Sequence, residues 1–380
     1  MLKYAVGIDI GSKECRACMS AIDATQRVKV VASTKFNNTL AGFQFLESWI
    51  SKHHKQKDVG LTIGMEATGV YYENCALFFS QKKYRVSVIL ANRAKDYIKA
   101  IGIKTKTDKS DAQGLAQMIC EQALPEWTPM SPFFFHLRTL TRQHQRLQEI
   151  RTELSNQLLS LEAAMYVIHS VVKQLKATLA HIDKQVAQVD ELIKKQLMSN
   201  AEVFEKVERI AAIKGLGMLT VAVVIAETNG FDLFHNSRQL VSYSGYDVVE
   251  NSSGKRVGKT KISKRGNSRI RRALYMPAFN VVRYRLTPFI QLFMRTYERH
   301  HEKMKSYVAV QKKLLVIIYA LYKNDQAFRN IPLIAEEEAA IASRLSAIGA
   351  LKKGSLPKEA TEGRQLRQLS ASNASRLVLK

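Results

Sequence analysis

Cysteine is scarce: 4 residues in a chain of 380, too few and too scattered for a disulfide framework. Cys15 and Cys18 stand three apart, but no second pair and no histidine at metal-ligand spacing accompanies them. They fall in a strand-like segment, where residues three apart point to opposite faces, so both are expected to be packing residues. Long apolar runs are also missing. The most apolar stretches, 221–226 and 314–321, have the length of buried core segments and fall short of the roughly 18 residues that a membrane span needs. The start, Met1-Leu2-Lys3-Tyr4, runs straight into a strand pattern without the anatomy of a signal peptide, so the expected compartment is the cytoplasm. Acidic residues are few as well. There are 33 Asp and Glu against 58 Lys and Arg, a net charge of +25. Such an excess repels itself unless a polyanion neutralises it, so nucleic acid is the expected partner, and a membrane surface is set aside.

At 380 residues, two or three domains are expected. Residues 1–128 carry short apolar runs at 4–10, 15–22, 28–34, 61–65 and 85–90, read as strands. Helical spacing follows at 40–53, 71–81 and 108–122. Three strands followed by alternating helix and strand predict a mixed sheet with helices packed on it. Over 129–205 the texture changes. Leu147, Ile150, Leu154, Leu158, Leu161 and Met165 step by three and four, and so do Val172, Leu175, Leu179, Ile182, Val186, Val189 and Ile193. This heptad spacing predicts two long helices folded into an antiparallel coiled-coil hairpin, with pairing to another subunit as a further option. Residues 206–335 form a third, mainly helical region. Its Lys214-Gly215-Leu216-Gly217 turn resembles a helix-hairpin-helix element, in which backbone amides approach a phosphate. The stretch 336–380 is basic, lacks a sustained period beyond about Ser346, and is read as a disordered tail.

Four carboxylates stand out by position. Asp9 ends the first strand and Glu66 a later one, while Asp108 and Asp111 are three apart at a predicted helix start, on one helical face. Either of the last two has an ordinary reading as an acid favoured by the helix dipole. An uncompensated carboxylate at Asp9, closing an apolar strand, is harder to dismiss. If the strand ends and the helix converge, the four acids need cations, and their hard oxygens suit Mg²⁺ or Mn²⁺. A pair of such ions serves phosphodiester chemistry.

Further along, Asn251-Ser252-Ser253-Gly254-Lys255-Arg256 precedes Lys261-Ile262-Ser263-Lys264-Arg265-Gly266-Asn267 and then Arg269, Arg271 and Arg272. Serines beside glycine are common in ordinary turns. The dense basic run changes the weighing, because a serine attacks phosphorus only once its proton is removed and the phosphate charge is neutralised. Lys214, Gly215, Gly217, Lys255, Arg256, Lys261, Lys264, Arg265, Arg269, Arg271 and Arg272 are therefore the candidate nucleic-acid contacts.

The blocks Gly7-Ile8-Asp9-Ile10-Gly11-Ser12-Lys13, Met65-Glu66-Ala67-Thr68-Gly69 and Asp108-Lys109-Ser110-Asp111-Ala112 resemble the DEDD-type insertion-sequence transposases of the "one-ten / eleven-eleven" group, related to the Piv and MooV DNA invertases. The resemblance runs from residue 4 to about 325 in order. It implies a RuvC-like domain of RNase H fold, a coiled-coil insertion and a C-terminal transposase domain. It implies Asp9, Glu66, Asp108 and Asp111 as a metal-binding tetrad and a serine nucleophile that forms a phosphoserine link to DNA. Ser253 matches that position best, with Ser252 one residue away. A structured non-coding guide RNA encoded by the element (a bridge RNA) is implied too. So is a homo-oligomer between dimer and tetramer, each site pairing the acids of one subunit with the serine of another, in the prokaryotic cytoplasm at the nucleoid.

Other readings remain. A RuvC-like Holliday-junction nuclease would use the same acids without the serine. An actin-like kinase shares the Asp9-Ile10-Gly11-Ser12-Lys13 turn, but the second phosphate loop and the Gly-rich adenosine site it requires are missing. A binding protein without activity would leave DNA unprocessed.

Overall fold

The computed structural model describes residues 1–345 apart from 104–106, 251, 254–255, 259, 333–335, 337–338 and 342. The predicted disordered tail lies almost wholly outside the described residues. The chain forms two compact units, Met1–Met130 and Ser131–Lys380.

The first unit is built on strands β1 (Lys3–Asp9), β2 (Glu14–Ile22) and β3 (Val28–Asn37), helix α1 (Leu40–His53), β4 (Leu61–Glu66), α2 (Glu73–Gln81), β5 (Arg85–Ile89), α3 (Ala91–Ala100) and α4 (Asp108–Glu121). Its sheet has the order β3-β2-β1-β4-β5. β1 to β3 run antiparallel as a meander, and β4 and β5 add parallel to β1. This is the mixed α/β arrangement anticipated from the order of apolar runs. Helix α3 was not anticipated, because Ala91–Ala100 carries one buried residue, Ala94, and hence almost no apolar stripe.

Strand alternation assigns each face its own core. Val6, Ile8, Ile63 and Met65 meet Phe43, Leu46 and Ile50 of α1 and Cys75 and Phe79 of α2 on one face. Ala5 and Ile89 meet Leu115, Met118 and Ile119 of α4 on the other. Cys15 joins the first face, and Cys18 packs on Ala112 and Ala116 on the second. All four cysteines are free and buried, and burial pushes the Cys15 thiol up to about 11.

Helix α4 lies close on its face because β1 and β4 carry glycines beneath it. A Cβ at Gly7 would stand 2.2 Å from the Ala116 nitrogen and 2.4 Å from the Ala112 carbonyl oxygen, and one at Gly64 2.4 Å from Ile119 Cδ1. At the other end, Lys3 Nζ at the start of β1 donates to the carbonyls of Ile119 and Gln122, where a cation complements the helix dipole. Residue 119 thus sits by residue 3 and residues 112 and 116 by residue 7. The helix runs against β1, and its first turn points toward the strand's C-terminal end.

In the second unit, α5 (Pro132–Glu162) and α6 (His169–Met198) lie side by side. The side-chain contacts His144–Asp190 (3.2 Å), Arg151–Asp183 (2.5 Å) and Lys176–Glu162 (2.8 Å) step down one helix as they step up the other, which makes the pair an antiparallel hairpin. Leu147, Val172, Val189 and Ile193 of the heptad stripe are buried, and its other members are half-buried, save Met165. That side chain is 88% exposed, because helix α5 ends at Glu162.

The hairpin is followed by α7 (Ala201–Ala211), α8 (Met218–Glu227) and α9 (Ser237–Tyr243). Four two-residue strands come next: β6 (Val248–Val249), β7 (Ser252–Ser253), β8 (Arg256–Val257) and β9 (Lys261–Ile262). Helices α10 (Ser268–Ala273), α11 (Tyr275–Arg283), α12 (Thr287–His300) and α13 (Lys303–Asn324) complete the unit. α8 supplies Val221, Ala222, Val224, Ile225 and Ala226 to the core, all fully buried. β6 pairs with β9 and β7 with β8, both antiparallel, so the serine segment is a small hairpin within a larger one. No helix among the described residues is long and apolar enough to cross a membrane.

Candidate active site

Asp9 and Glu66 close adjacent parallel strands, one position beyond the Ile8–Met65 partners of the register. Each is two residues beyond a glycine that faces α4, so alternation turns both side chains toward that helix. Both are half-buried. Helix α4 brings Asp108 and Asp111 to the same end. Its start is fixed by a capping box: the Thr107 side chain accepts from the Ser110 N–H (3.2 Å), and the Ser110 hydroxyl accepts from the Thr107 N–H (2.9 Å). Asp108, in the first turn, is exposed, and Asp111 is half-buried. The ordinary reading of these two as dipole-favoured acids and the functional one coexist, since the same helix start serves both.

The four predicted carboxylates therefore share one end of one sheet. Their donor set is all carboxylate oxygen, which fits Mg²⁺ or Mn²⁺. Among the described residues, no three His, Cys, Asp or Glu side chains are drawn close enough together to hold a metal ion. The acids thus line the edge of the sheet as an open array.

Two residues at this edge escaped the sequence reading. Asn38 Nδ2 donates to the Gly11 carbonyl (2.9 Å) and the Tyr71 carbonyl (3.1 Å), tying together the segments that follow Asp9 and Glu66. Arg16 is the cross-strand partner of Asp9 on β2 and so shares its face of the sheet. Neither has a sequence signal of its own, because Asn38 acts through its amide on distant carbonyls and Arg16 through strand pairing.

The serine candidates lie in the second unit. Ser252 and Ser253 form β7, opposite Val257 and Arg256, and Ser253 is exposed. Lys255 falls outside the described residues, and for Arg256 only the backbone place is described.

The basic block divides into exposed cations and cations committed to partners. Lys261, Lys264 and Arg265 are exposed. Arg271 Nη1 donates to the carbonyls of Ser244 (2.9 Å) and Gly266 (3.3 Å), bracing the turn that leads into α10. Arg272 is ion-paired with Glu149 of α5. Arg269 stands 4.0 Å from Glu227. These three candidates hold the fold together, whatever else they touch.

Glu227 is the hub of that arrangement. Its side chain is 1% exposed. It accepts from Arg142 Nε (2.7 Å) and Nη2 (2.9 Å) on α5, and from Asn267 Nδ2 (2.8 Å). The Asn267 Oδ1 in turn caps α10, accepting from the N–H groups of Arg269 and Ile270. Burial pushes the Glu227 carboxyl up, but the bonds and charge of Arg142, with Asn267 and Arg269, outweigh it and leave it below the usual carboxylate range. A signal for it did exist: a carboxylate ending the apolar run 218–226 has to find a partner.

The turn before α8 also differs from the helix-hairpin-helix expectation in part. Gly215, at φ +96°, is packed: a Cβ there would meet Asn280 Cβ at 2.7 Å, and Lys214 Nζ lies 4.7 Å from the Tyr284 ring centre. Gly217 has open space where a Cβ would stand, at the N-cap of α8, and of the two glycines it is the one that a phosphate can approach.

An acid-edged mixed sheet in a chain of net charge +25 defines a class, the enzymes that process phosphodiesters. The family follows from comparison. Residues 6–165 match the DEDD transposase model of the IS110 type, and residues 207–294 match the transposase model of the IS116/IS110/IS902 family. Together these spans make up well over half of the chain, which belongs to this family of transposases. It is similar to the pilin gene-inverting protein of Moraxella bovis, 28% identical over 331 residues that cover 86% of this chain and 98% of that protein. It is also similar to the transposase for insertion sequence element IS1111A of Coxiella burnetii, 25% identical over 267 residues, covering 64% and 72%. Among solved structures, Thermus thermophilus RuvC in complex with a Holliday junction substrate matches 33% of this chain and 99% of its own at 9% identity, with a TM-score of 0.26, too slight a likeness to carry chemistry.

Proposed function

We propose that this protein excises and inserts an insertion-sequence element by metal-assisted, serine-dependent cleavage and exchange of DNA strands, directed by a structured RNA from the element. The observation that carries the reading is that Asp9 and Glu66 end adjacent strands at the sheet end toward which the first turn of α4, with Asp108 and Asp111, points, in a chain of this family. These carboxylates would hold Mg²⁺ or Mn²⁺. Such ions, when bound, neutralise phosphate charge and favour ionisation of an attacking oxygen.

The Ser253 hydroxyl, exposed on its short hairpin, is the proposed nucleophile. Its O–H proton leaves as the Oγ–P bond forms, the P–O bond to the departing deoxyribose breaks, and that oxygen takes up a proton. Attack of another strand's hydroxyl on the phosphoserine reverses the sequence and restores the serine. The exposed cations Lys261, Lys264 and Arg265 beside the hairpin are suited to hold the strand. The acids and the serine belong to different units, and in this reading an oligomer of two to four chains brings them together, acids from one subunit and serine from another. The guide RNA rests on the family resemblance and on the charge of +25.

The test is a covalent-adduct assay. Labelled element-junction DNA is incubated with protein, Mg²⁺ and co-expressed element RNA, then run on a denaturing protein gel. A labelled band is expected for the unaltered protein and for Ser252→Ala, with loss in Asp9→Asn and Ser253→Ala. Cleaved DNA with no adduct in any lane would overturn the serine step and leave a junction nuclease that uses the acids alone.

Binding should also be steeply salt-dependent. With about 6–10 phosphate contacts, affinity is expected to fall roughly a thousandfold or more between about 50 and 200 mM salt. A flat response in a filter-binding titration would remove the basic surface as the docking face.

A further inference from the structure

Beside the acidic edge the first unit holds a cavity of about 270 Å³, lined by Arg16, Ser33, Thr34, Lys35, Lys109 and Ala112. Strand pairing explains how it forms. Arg16 on β2 is the partner of Asp9 on β1 and of Lys35 on β3, so the Arg16 and Lys35 side chains share the face on which Asp9 lies and α4 packs. Lys109 comes from the first turn of α4, between Asp108 and Asp111. Three cations thus line one small cavity a strand away from the catalytic carboxylates.

Part of this charge is uncommitted. Among the described residues the buried Arg16 Nε has no hydrogen-bond partner, a state rare in protein interiors and one that a bound acceptor relieves. Lys35 is paired with Glu14 at 2.9 Å, but both side chains are about half exposed, and an exposed pair of that kind yields readily to a stronger anion. Ser33, two residues before Lys35 and so on the same face, adds a hydroxyl at the wall. The volume lies below the roughly 300–1,000 Å³ of small-molecule sites, which suits a phosphate group better than a whole nucleotide.

We propose that this cavity binds a backbone phosphate of the DNA strand being cut, a nucleotide or two from the scissile bond. The proposal rests on the reading that the acids process DNA and adds to it a site that sets the strand's register. Adjacent strands of a sheet lie about 4.8 Å apart. A phosphate in the cavity and a phosphate at Asp9 are therefore separated on the scale of neighbouring phosphates in one strand. The cations would draw the DNA to an edge that its own carboxylates otherwise repel, and the guanidinium can offer paired N–H groups to two phosphate oxygens.

The experiment reads binding as well as cleavage, so that the two readings fail separately. Junction DNAs carrying one methylphosphonate at each position around the cleavage site are titrated, with Mg²⁺ and co-expressed element RNA, against the full-length protein and against Arg16→Gln and Lys109→Gln. One position is expected to weaken binding by about tenfold in the unaltered protein. That position should have no further effect in Arg16→Gln, whose log affinity against log salt should be shallower by about one contact. Lys109→Gln, at an exposed helix position, should show the same loss of response without a change in folding. If the neutral linkage weakens binding equally in all three proteins, or the variants bind as tightly as the unaltered protein, the cavity is not a phosphate site, while cleavage by the acids stands. Absence of both DNA binding and cleavage in the unaltered protein would overturn both readings.

Discussion

Gly7→Ala is expected to destabilise the first unit by about 2–3 kcal/mol, the upper range for overpacking a filled core, and to cut strand cleavage by roughly a hundredfold. The added methyl would stand 2.2 Å from the backbone nitrogen of Ala116 and 2.4 Å from the carbonyl oxygen of Ala112. Backbone cannot rotate aside, so α4 must lift from β1. The lifted helix is the one that carries Asp108 and Asp111, and a misplacement of about 1 Å is enough for a loss of that size. Gly64→Ala is the internal control. Its methyl would meet the tip of the Ile119 side chain at 2.4 Å, a flexible end that can change rotamer. It should cost no more than about 1 kcal/mol, well short of overpacking against backbone, and leave cleavage within a few fold. Urea unfolding with the adduct assay checks both. Equal losses for the two variants would mean that close approach of α4 is not what Gly7 provides.

Glu227→Ala should cost the second unit about 3 kcal/mol, the low end for breaking a buried pair because Arg142 is partly exposed. The carboxylate is the acceptor on which α5, α8 and the cap of α10 converge, so its loss removes the shared acceptor of the Arg142 guanidinium and the Asn267 amide together. Glu227→Gln keeps one carbonyl acceptor and should fall between. A pH dependence goes with it. The folded-state carboxyl is lowered, so its contribution is fully present above the ordinary value of 4.5 and is lost as the pH falls through the lower native value. Thermal midpoints measured downward from pH 6 should decline more steeply in the unaltered protein than in Glu227→Ala. Parallel curves would show that the ion pair adds nothing to stability.

Much of this arrangement was legible before any coordinates, and what was missed has a common cause. The strands were readable because β1 and β4 are nearly continuous apolar runs, and Asp9 and Glu66 drew notice because they stand where those runs stop. The hairpin was readable from its stripe. Partnerships were not. Arg269, Arg271 and Arg272 look alike in sequence, yet their partners are Glu227, the carbonyls of Ser244 and Gly266, and Glu149, all but Gly266 distant in the chain. Asn38 matters through amide bonds to distant loop carbonyls and Arg16 through strand register, neither of which a sequence read in isolation displays.

The hairpin of the second unit also implies an order of events during folding. Its side-chain contacts join residues 14, 32 and 46 positions apart, from the Lys176–Glu162 pair near the turn to the His144–Asp190 pair farther down. Loop-closure cost grows with separation, so the two helices should zip from the turn downward. The clasp at the lower end, between Arg142 and Glu227, spans 85 residues and has to wait for α8 to emerge from the ribosome. Pulse-labelled hydrogen exchange should accordingly find amides of 150–180 protected before those of 218–227. The longest helices of the chain would then be its earliest scaffold, in place before the segment that carries the serine has been made.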